Sequence, residues 1–352
     1  MMRQLVFSGP GRVEFREVAA PRLRAACEAI VRPLVMGRCD LDTLYLSGRM
    51  PLASGQPIGH EIIGEIVELG DAAARRFRVG QRVIVPAQIS CGTCRMCVSG
   101  ATGRCETVPL GASYGMGRDG DFGGGVADLV WVPYAAAMLV PLPATAELPG
   151  MIGLADMATD AWRAVGPQLE PRPAGTVLVL GGMVPVIGIF AAALAVVLGA
   201  GRIVYVDGDD HRRAIASGYG AEVVATIEAV AGQHFDIVVD AAGSADLLLA
   251  AVRACGPDAA LTSVAPPLVS PELPLLEMYY EGLTYRIGRP DCRFGHDHAL
   301  HAWSATGFDP SRVGPKAFTY EEAEQAWPDP ALYVAVVRPP LHRSSSQPAI
   351  AS

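Results

Sequence analysis

The chain has 352 residues, of which 51% are apolar and 18% charged, and its formal net charge is −8. That length allows two domains with cores of their own. The acidic balance argues against a nucleic-acid partner, because phosphate binding needs clustered Lys and Arg.

Residues 1–18 alternate and turn at Gly9-Pro10-Gly11, which predicts a strand and hairpin rather than a secretory leader. Short alternating runs at 65–69, 82–86 and 126–132 are separated by Gly-rich turns such as Gly123-Gly124-Gly125. This texture predicts a compact β domain. A helical stretch over 151–165 leads to a break at Pro167, Pro171 and Pro173.

Strands at 176–180, 202–206, 235–240 and 259–264 then alternate with helices at 187–198, 211–219 and 245–254. That rhythm predicts a parallel, doubly wound sheet. A further strand is expected within 282–288, then helices near 298–305 and 320–326, the last capped by Thr319. From about residue 343 the tail reads as disordered. No charge occurs over 173–201, which is long enough for a membrane span. Gly181, Gly182, Pro185 and Gly188 break that run, so it reads as strand, turn and buried helix.

The same segment carries the candidate nucleotide site. Gly181, Gly182 and Gly188 let backbone approach a pyrophosphate, and the helix opening near Ile187 supplies free N–H groups. The turn is about two residues longer than the G-x-G-x-x-G fingerprint, and alone it also fits an ordinary strand–helix turn. Asp207 ends the next strand, where an acid binds ribose hydroxyls and repels a 2′-phosphate; NAD is therefore expected over NADP. Arg212 and Arg213 pull the other way, since Arg accommodates that phosphate.

Five of the eight cysteines sit at metal-binding spacings. Cys91, Cys94, Cys97 and Cys105 form C-x2-C-x2-C-x7-C, which can close a tetrahedral shell around a structural zinc. Disulfides or an iron–sulfur cluster are the alternatives. The fifth is Cys39. Cys27, Cys255 and Cys292 read as small buried hydrophobes. His296-Asp297-His298 and His301 read as a solvated face with no ligand role. Thiolate metal sites imply a reducing, cytoplasmic setting.

Gly59-His60-Glu61-Ile62-Ile63-Gly64, followed by Gly70 and Ala73, resembles the zinc signature of the medium-chain alcohol dehydrogenases. Gly37-Arg38-Cys39-Asp40-Leu41-Asp42 resembles the segment bearing the first zinc ligand. Leu154-Ala155-Asp156-Met157 resembles the bacterial branch with Asp as third ligand, and the four-cysteine lobe and 177–207 match as well. The resemblance implies a mixed α/β chain: a GroES-like catalytic domain over residues 1–158 with its zinc lobe at 91–105, a Rossmann NAD domain over 159–288, and a return to the catalytic domain over 289–352. It implies two zinc ions per chain, a catalytic one on Cys39, His60 and Asp156 and a structural one on the four cysteines. Glu61 sits behind the metal or exchanges onto it. The expected partners are a small-molecule substrate and further copies of the chain, as dimer or tetramer, with no membrane.

Three positions depart from that family pattern. The proton-relay hydroxyl two residues after the first ligand is Leu41, the relay histidine is Leu44, and the often basic residue next to the ligand is Asp40. Leucine cannot pass a proton. Water, Thr43, Asp40 or Asp42 takes over, or the reaction needs no alcohol proton. The leading expectation is alcohol–carbonyl interconversion. The alternatives are reduction of a conjugated C=C or C=N bond and a silent NAD-binding sensor. Pocket walls are expected near Leu41, Tyr45, Ser113-Tyr114 and Tyr279-Tyr280.

Overall fold

The computed structural model describes residues 1–117, 122–143, 147–266 and 268–341, so the expected tail from 343 lies outside the described residues. Its six-stranded sheet is parallel throughout, in the order Glu222–Val224, Arg202–Val206, Thr176–Leu180, Phe235–Asp240, Cys255–Ser263, Thr284–Ile287. In chain order this is the 3-2-1-4-5-6 winding of a dinucleotide-binding sheet. Its central strands Thr176–Leu180 and Phe235–Asp240 are mostly apolar and buried because both faces are covered. Val177 and Val179 face the helices Met157–Leu169 and Pro185–Val197. Leu178 and Leu180 face the opposite side, with Ala245–Arg253. The strand order reverses between Thr176–Leu180 and Phe235–Asp240, and ligands bind in the crevice at such a switch point.

The helix anticipated over 151–165 is built differently. A 3-10 turn spans Ile152–Ala155, and the α-helix runs Met157–Leu169, through Pro167. Pro167 is the third residue from the C-terminal end, so the intrahelical bond its missing N–H removes lies in the last turn.

The seven-stranded sheet is built around Ala29–Arg38, which pairs antiparallel with Glu61–Leu69, Val334–Val337 and Val130–Val132. Strands from both ends of the chain thus share one sheet, and the parallel sheet lies between them in sequence. Thr319 caps the late 3-10 turn Tyr320–Glu322 in a capping box with Glu322, as its position suggests. Among the described residues, no helix is long and apolar enough to cross a membrane; the uncharged run becomes the strand Thr176–Leu180 and the helix Pro185–Val197.

Candidate active site

Strand register brings the first two candidate ligands together. Gly37 pairs with Glu61 across Ala29–Arg38 and Glu61–Leu69, so Cys39 leaves one strand beside the point where His60 enters the other. Gly59 makes that entry possible. Its φ is +86°, and a Cβ there would stand 2.7 Å from Val126. Asp156 joins them from the junction between the 3-10 turn and the long helix.

The ligand atoms of Cys39, His60 and Asp156 all lie within 4.8 Å of one another. Cys39 Sγ is 3.4 Å and His60 Nε2 3.5 Å from Asp156 Oδ2. Tetrahedral zinc with ordinary bond lengths would separate sulfur from oxygen by roughly 3.6 Å and nitrogen from oxygen by roughly 3.4 Å. His60 is fully buried, yet neither ring nitrogen makes a hydrogen bond. A buried imidazole with both nitrogens unpartnered is costly unless a ligand is supplied.

The charge balance points the same way. Burial opposes protonation of His60, but Asp42, Asp156 and Glu61 outweigh it and push the ring up to about 9. Burial, then Asp156, pushes both the Cys39 thiol and the Glu61 carboxyl well up. Acids crowded into a dry site around one histidine call for a cation.

Supporting contacts hold the cluster. Asp42 Oδ2 accepts the Cys39 backbone N–H at 3.1 Å and stands 3.8 Å from His60 Nδ1. Glu61 accepts from Tyr333 Oη at 2.7 Å and from the Met157 N–H at 3.3 Å. Cys292, expected to be an inert core thiol, is fully buried but donates to Asp156 Oδ1 at 2.8 Å. That bond leaves Asp156 Oδ2 to face Cys39 and His60. His296 departs from the expected solvated face as well. It is wholly buried, because its side of the helix Cys292–Ala305 packs inward, and its Nε2 lies 2.9 Å from the Ala155 carbonyl. His298 and His301 are exposed, and His298 stacks on Trp162 at 3.9 Å. Cys255 is buried as expected, while Cys27 is exposed.

The three clustered residues line a cavity of about 240 Å³. Its opposite wall is Val184 and Ile187 at the helix start and Val264 and Ala265 beyond the sheet. Leu41 faces it. Tyr45, Ser113 and Tyr114 do not line it, and Tyr279 and Tyr280 are exposed elsewhere.

Cys91, Cys94, Cys97 and Cys105 form a second cluster, also within 4.8 Å. Cys91 and Cys97 sulfurs are 4.0 Å apart, and those of Cys94 and Cys105 3.9 Å. Zn–S bonds in a tetrahedron predict about 3.8 Å, and a disulfide needs about 2.05 Å. All eight cysteines are free. Backbone N–H groups of Thr93 and Cys94 and the Thr107 hydroxyl donate to the Cys91 sulfur, as thiolate ligands require.

Known proteins carry the same pattern. Residues 25–144 match the alcohol dehydrogenase GroES-like domain, and residues 186–287 match the zinc-binding dehydrogenase domain. A glutathione-independent formaldehyde dehydrogenase of Pseudomonas aeruginosa is 32% identical over 265 residues, spanning 68% of this chain but 65% of that protein. An alcohol dehydrogenase of Cupriavidus necator is 28% identical over 75% of this chain and 76% of its own. The solved alcohol dehydrogenase TADH from Thermus sp. ATN1 superposes with a TM-score of 0.86 at 28% identity, over 95% of this chain and 99% of that one. The chain belongs to the zinc-dependent medium-chain alcohol dehydrogenase family.

The expected nucleotide crevice lies where the strand order of the parallel sheet reverses. Asp207 ends its strand as expected and is buried; it accepts from Tyr205 Oη at 2.8 Å and from the Asp209 N–H at 2.9 Å. Arg212 lies 3.6 Å from Asp207 and donates to the Gly182 carbonyl at 3.1 Å. Gly181 is pressed against Asp207 and Tyr205, since a Cβ would meet Asp207 Oδ2 at 2.4 Å and Tyr205 Oη at 2.5 Å. Gly188 sits in the first turn of the helix, facing Ala241. Asp40 reaches across to the same helix and accepts from the N–H groups of Val186 and Ile187 at 2.9 and 3.1 Å.

Of the side chains considered as relay substitutes, Asp40 and Thr43 line a separate cleft and Asp42 lies behind His60. None of the three lines the metal-facing cavity; Asp160 and Arg289 do. Asp160 and Tyr333 were not singled out in the sequence, and Cys292 was read there only as a small buried hydrophobe. Asp160 had a signal, one helical turn beyond Asp156, but the other two are set by tertiary packing alone.

Proposed function

We propose that the chain is a zinc- and nicotinamide-dependent oxidoreductase that interconverts an alcohol and an aldehyde or ketone by hydride transfer. The observation that carries this reading is the shared cavity: Cys39, His60 and Asp156 form one wall and the dinucleotide helix the other. Three ligands leave a coordination position for substrate, whereas the four-cysteine lobe closes its shell.

Cys39, His60 and Asp156 would hold the catalytic zinc, with Glu61 behind it, and Cys91, Cys94, Cys97 and Cys105 the structural one. Bound zinc supplies Lewis-acid polarisation of the substrate oxygen. Cys39 and Asp156 bring compensating negative charge. Val184, Ile187 and Val264 keep water from the path between substrate carbon and nicotinamide. Asp160 is the carboxylate on that wall able to take the alcohol proton, which Leu41 cannot. Burial pushes it up to about 6, against the pull of Arg163, so it can both accept and release a proton near neutrality.

Gly181, Gly182, Ile187 and Gly188 would face the dinucleotide and Asp207 its adenosine ribose, with Arg212 beside it. The buried Asp207 carboxylate favours NAD over NADP. Residues 1–158 and 289–352 make up the catalytic domain and 159–288 the nucleotide domain in this reading. Free cysteines fit a reducing, cytoplasmic setting. The exposed Leu275, Leu276, Tyr279 and Tyr280 precede the edge strand Thr284–Ile287, which fits assembly into dimers or tetramers there.

The test is NADH formation and consumption across primary and secondary alcohols, aldehydes and ketones, with NAD and NADP in parallel, before and after chelation. Turnover is expected with NAD and lost on chelation. Chelator-insensitive turnover would overturn the reading.

A further inference from the structure

The helix Pro185–Val197 begins where the strand order reverses, so its first-turn donors are the natural partners of a dinucleotide pyrophosphate. Few donors are available there. Pro185 has no N–H, and the Gly188 N–H already pairs with the Val184 carbonyl at 3.1 Å. Just before the helix, the Met183 and Val184 N–H groups pair with the Ala242 and Ala241 carbonyls. Only Val186 and Ile187 remain in the first turn, and one oxygen of Asp40 takes both. Asp40 is itself 2% exposed and comes from the other sheet's side of the crevice, on the short helix that follows Cys39.

Two of the arginines lining the cleft beside Asp40 are already engaged. Arg38 holds the backbone carbonyls of Trp327, Asp329 and Ala331. Arg212 holds the Gly182 carbonyl beside Asp207. An anionic cofactor approaching the helix therefore meets a buried carboxylate on the donors it needs.

We propose that Asp40 sets the dinucleotide affinity of this chain by competing with the cofactor's pyrophosphate for the Val186 and Ile187 N–H groups. The cofactor binds by displacing the carboxylate, and part of its binding free energy is used in that exchange. The inference rests on the reading that this crevice takes a nicotinamide dinucleotide.

Titrations with NADH, ADP-ribose and adenosine, followed by fluorescence or calorimetry, compare the zinc-loaded wild type with Asp40→Asn and Asp40→Ser. The asparagine variant keeps the shape and removes the charge; the serine variant vacates the donors. The Kd for NADH and ADP-ribose should fall about tenfold in Asp40→Ser, within the range for a buried charge at a helix N-terminus, and less in Asp40→Asn. Adenosine, which lacks the pyrophosphate, should bind all three alike. Without ligand, both variants should melt lower, having lost the cap, and should gain more in Tm from NADH. Unchanged or weaker NADH binding in both variants, or equal tightening for adenosine, overturns the proposal. If no form binds NADH or ADP-ribose, the dinucleotide reading itself fails and this inference with it.

Discussion

The two candidate metal clusters are built in opposite ways. Cys91, Cys94, Cys97 and Cys105 come from one loop, donate only sulfur and surround their own centre. Cys39, His60 and Asp156 come from two strand ends and a helix junction, mix three donor types and face a cavity. A loop can wrap an ion from local sequence alone. The mixed cluster exists only once the sheet register and the helix junction are in place. The closed cluster should therefore answer to stability measurements and the open one to activity.

Removing a ligand from each cluster tests this division most strongly. His60→Ala should lower kcat/KM by a factor on the order of a thousand, as loss of a central catalytic group does. Metal analysis should show the lobe still loaded and Tm little changed. Loss of lobe metal in that variant would break the comparison. Cys105→Ser should do the reverse: destabilisation on the order of 4 kcal/mol in chemical unfolding, the class of effect seen when a metal site is lost. Its native fraction should keep activity, and direct loss of kcat without unfolding would contradict it.

A pH effect follows from the buried His296 behind the open cluster. Burial holds its ring down at about 4, against an ordinary value of 6.5. Above pH 6.5 the ring is neutral in both folded and unfolded chains and contributes no slope. Between 6.5 and about 4 the unfolded chain takes up a proton that the folded ring refuses, so stability falls with pH. The full loss is on the order of 3 kcal/mol and levels off below that window. His296→Gln should flatten this part of a Tm-against-pH curve; an identical slope in the variant would rule the histidine out.

The smallest expected effect concerns the thiol on Asp156. Cys292→Ala should release zinc from the open cluster with about 10–100-fold lower affinity, the usual cost of losing a partner to a metal ligand. Cys292→Ser, which keeps a donor, should recover most of it, and the lobe should hold its metal throughout. Chelator competition reads both sites, and equal weakening in the two would mean Cys292 acts on the fold generally.

The same contrast explains what was legible in the sequence. The lobe could be read from spacing, because its geometry is local. The parallel sheet could be read from its rhythm, because strands buried on both faces leave long apolar runs such as Val177–Leu180. Cys39, His60 and Asp156 were accessible through resemblance to the family. Cys292 and Tyr333 were not, since neither carries a pattern and both reach the site through pairings made late in the chain. His296 was misplaced for a related reason: a His-Asp-His run looks solvated until the inward side of its helix is known. Asp40 was visible as a departure, but its contact with the helix Pro185–Val197 follows only from the packing of the short helix Asp40–Leu46 against it.

Tyr333, which grips Glu61, leads directly into Val334–Val337, and that strand pairs with Ala29–Arg38. Synthesis at roughly 5–20 residues per second separates the emergence of His60 from that of this strand by tens of seconds. During that interval the four cysteines of the lobe have already emerged, while Cys39 and His60 stand on a sheet still lacking Val334–Val337. The local cluster can therefore assemble early in synthesis, whereas the surroundings of the mixed cluster are complete only once that strand pairs with Ala29–Arg38.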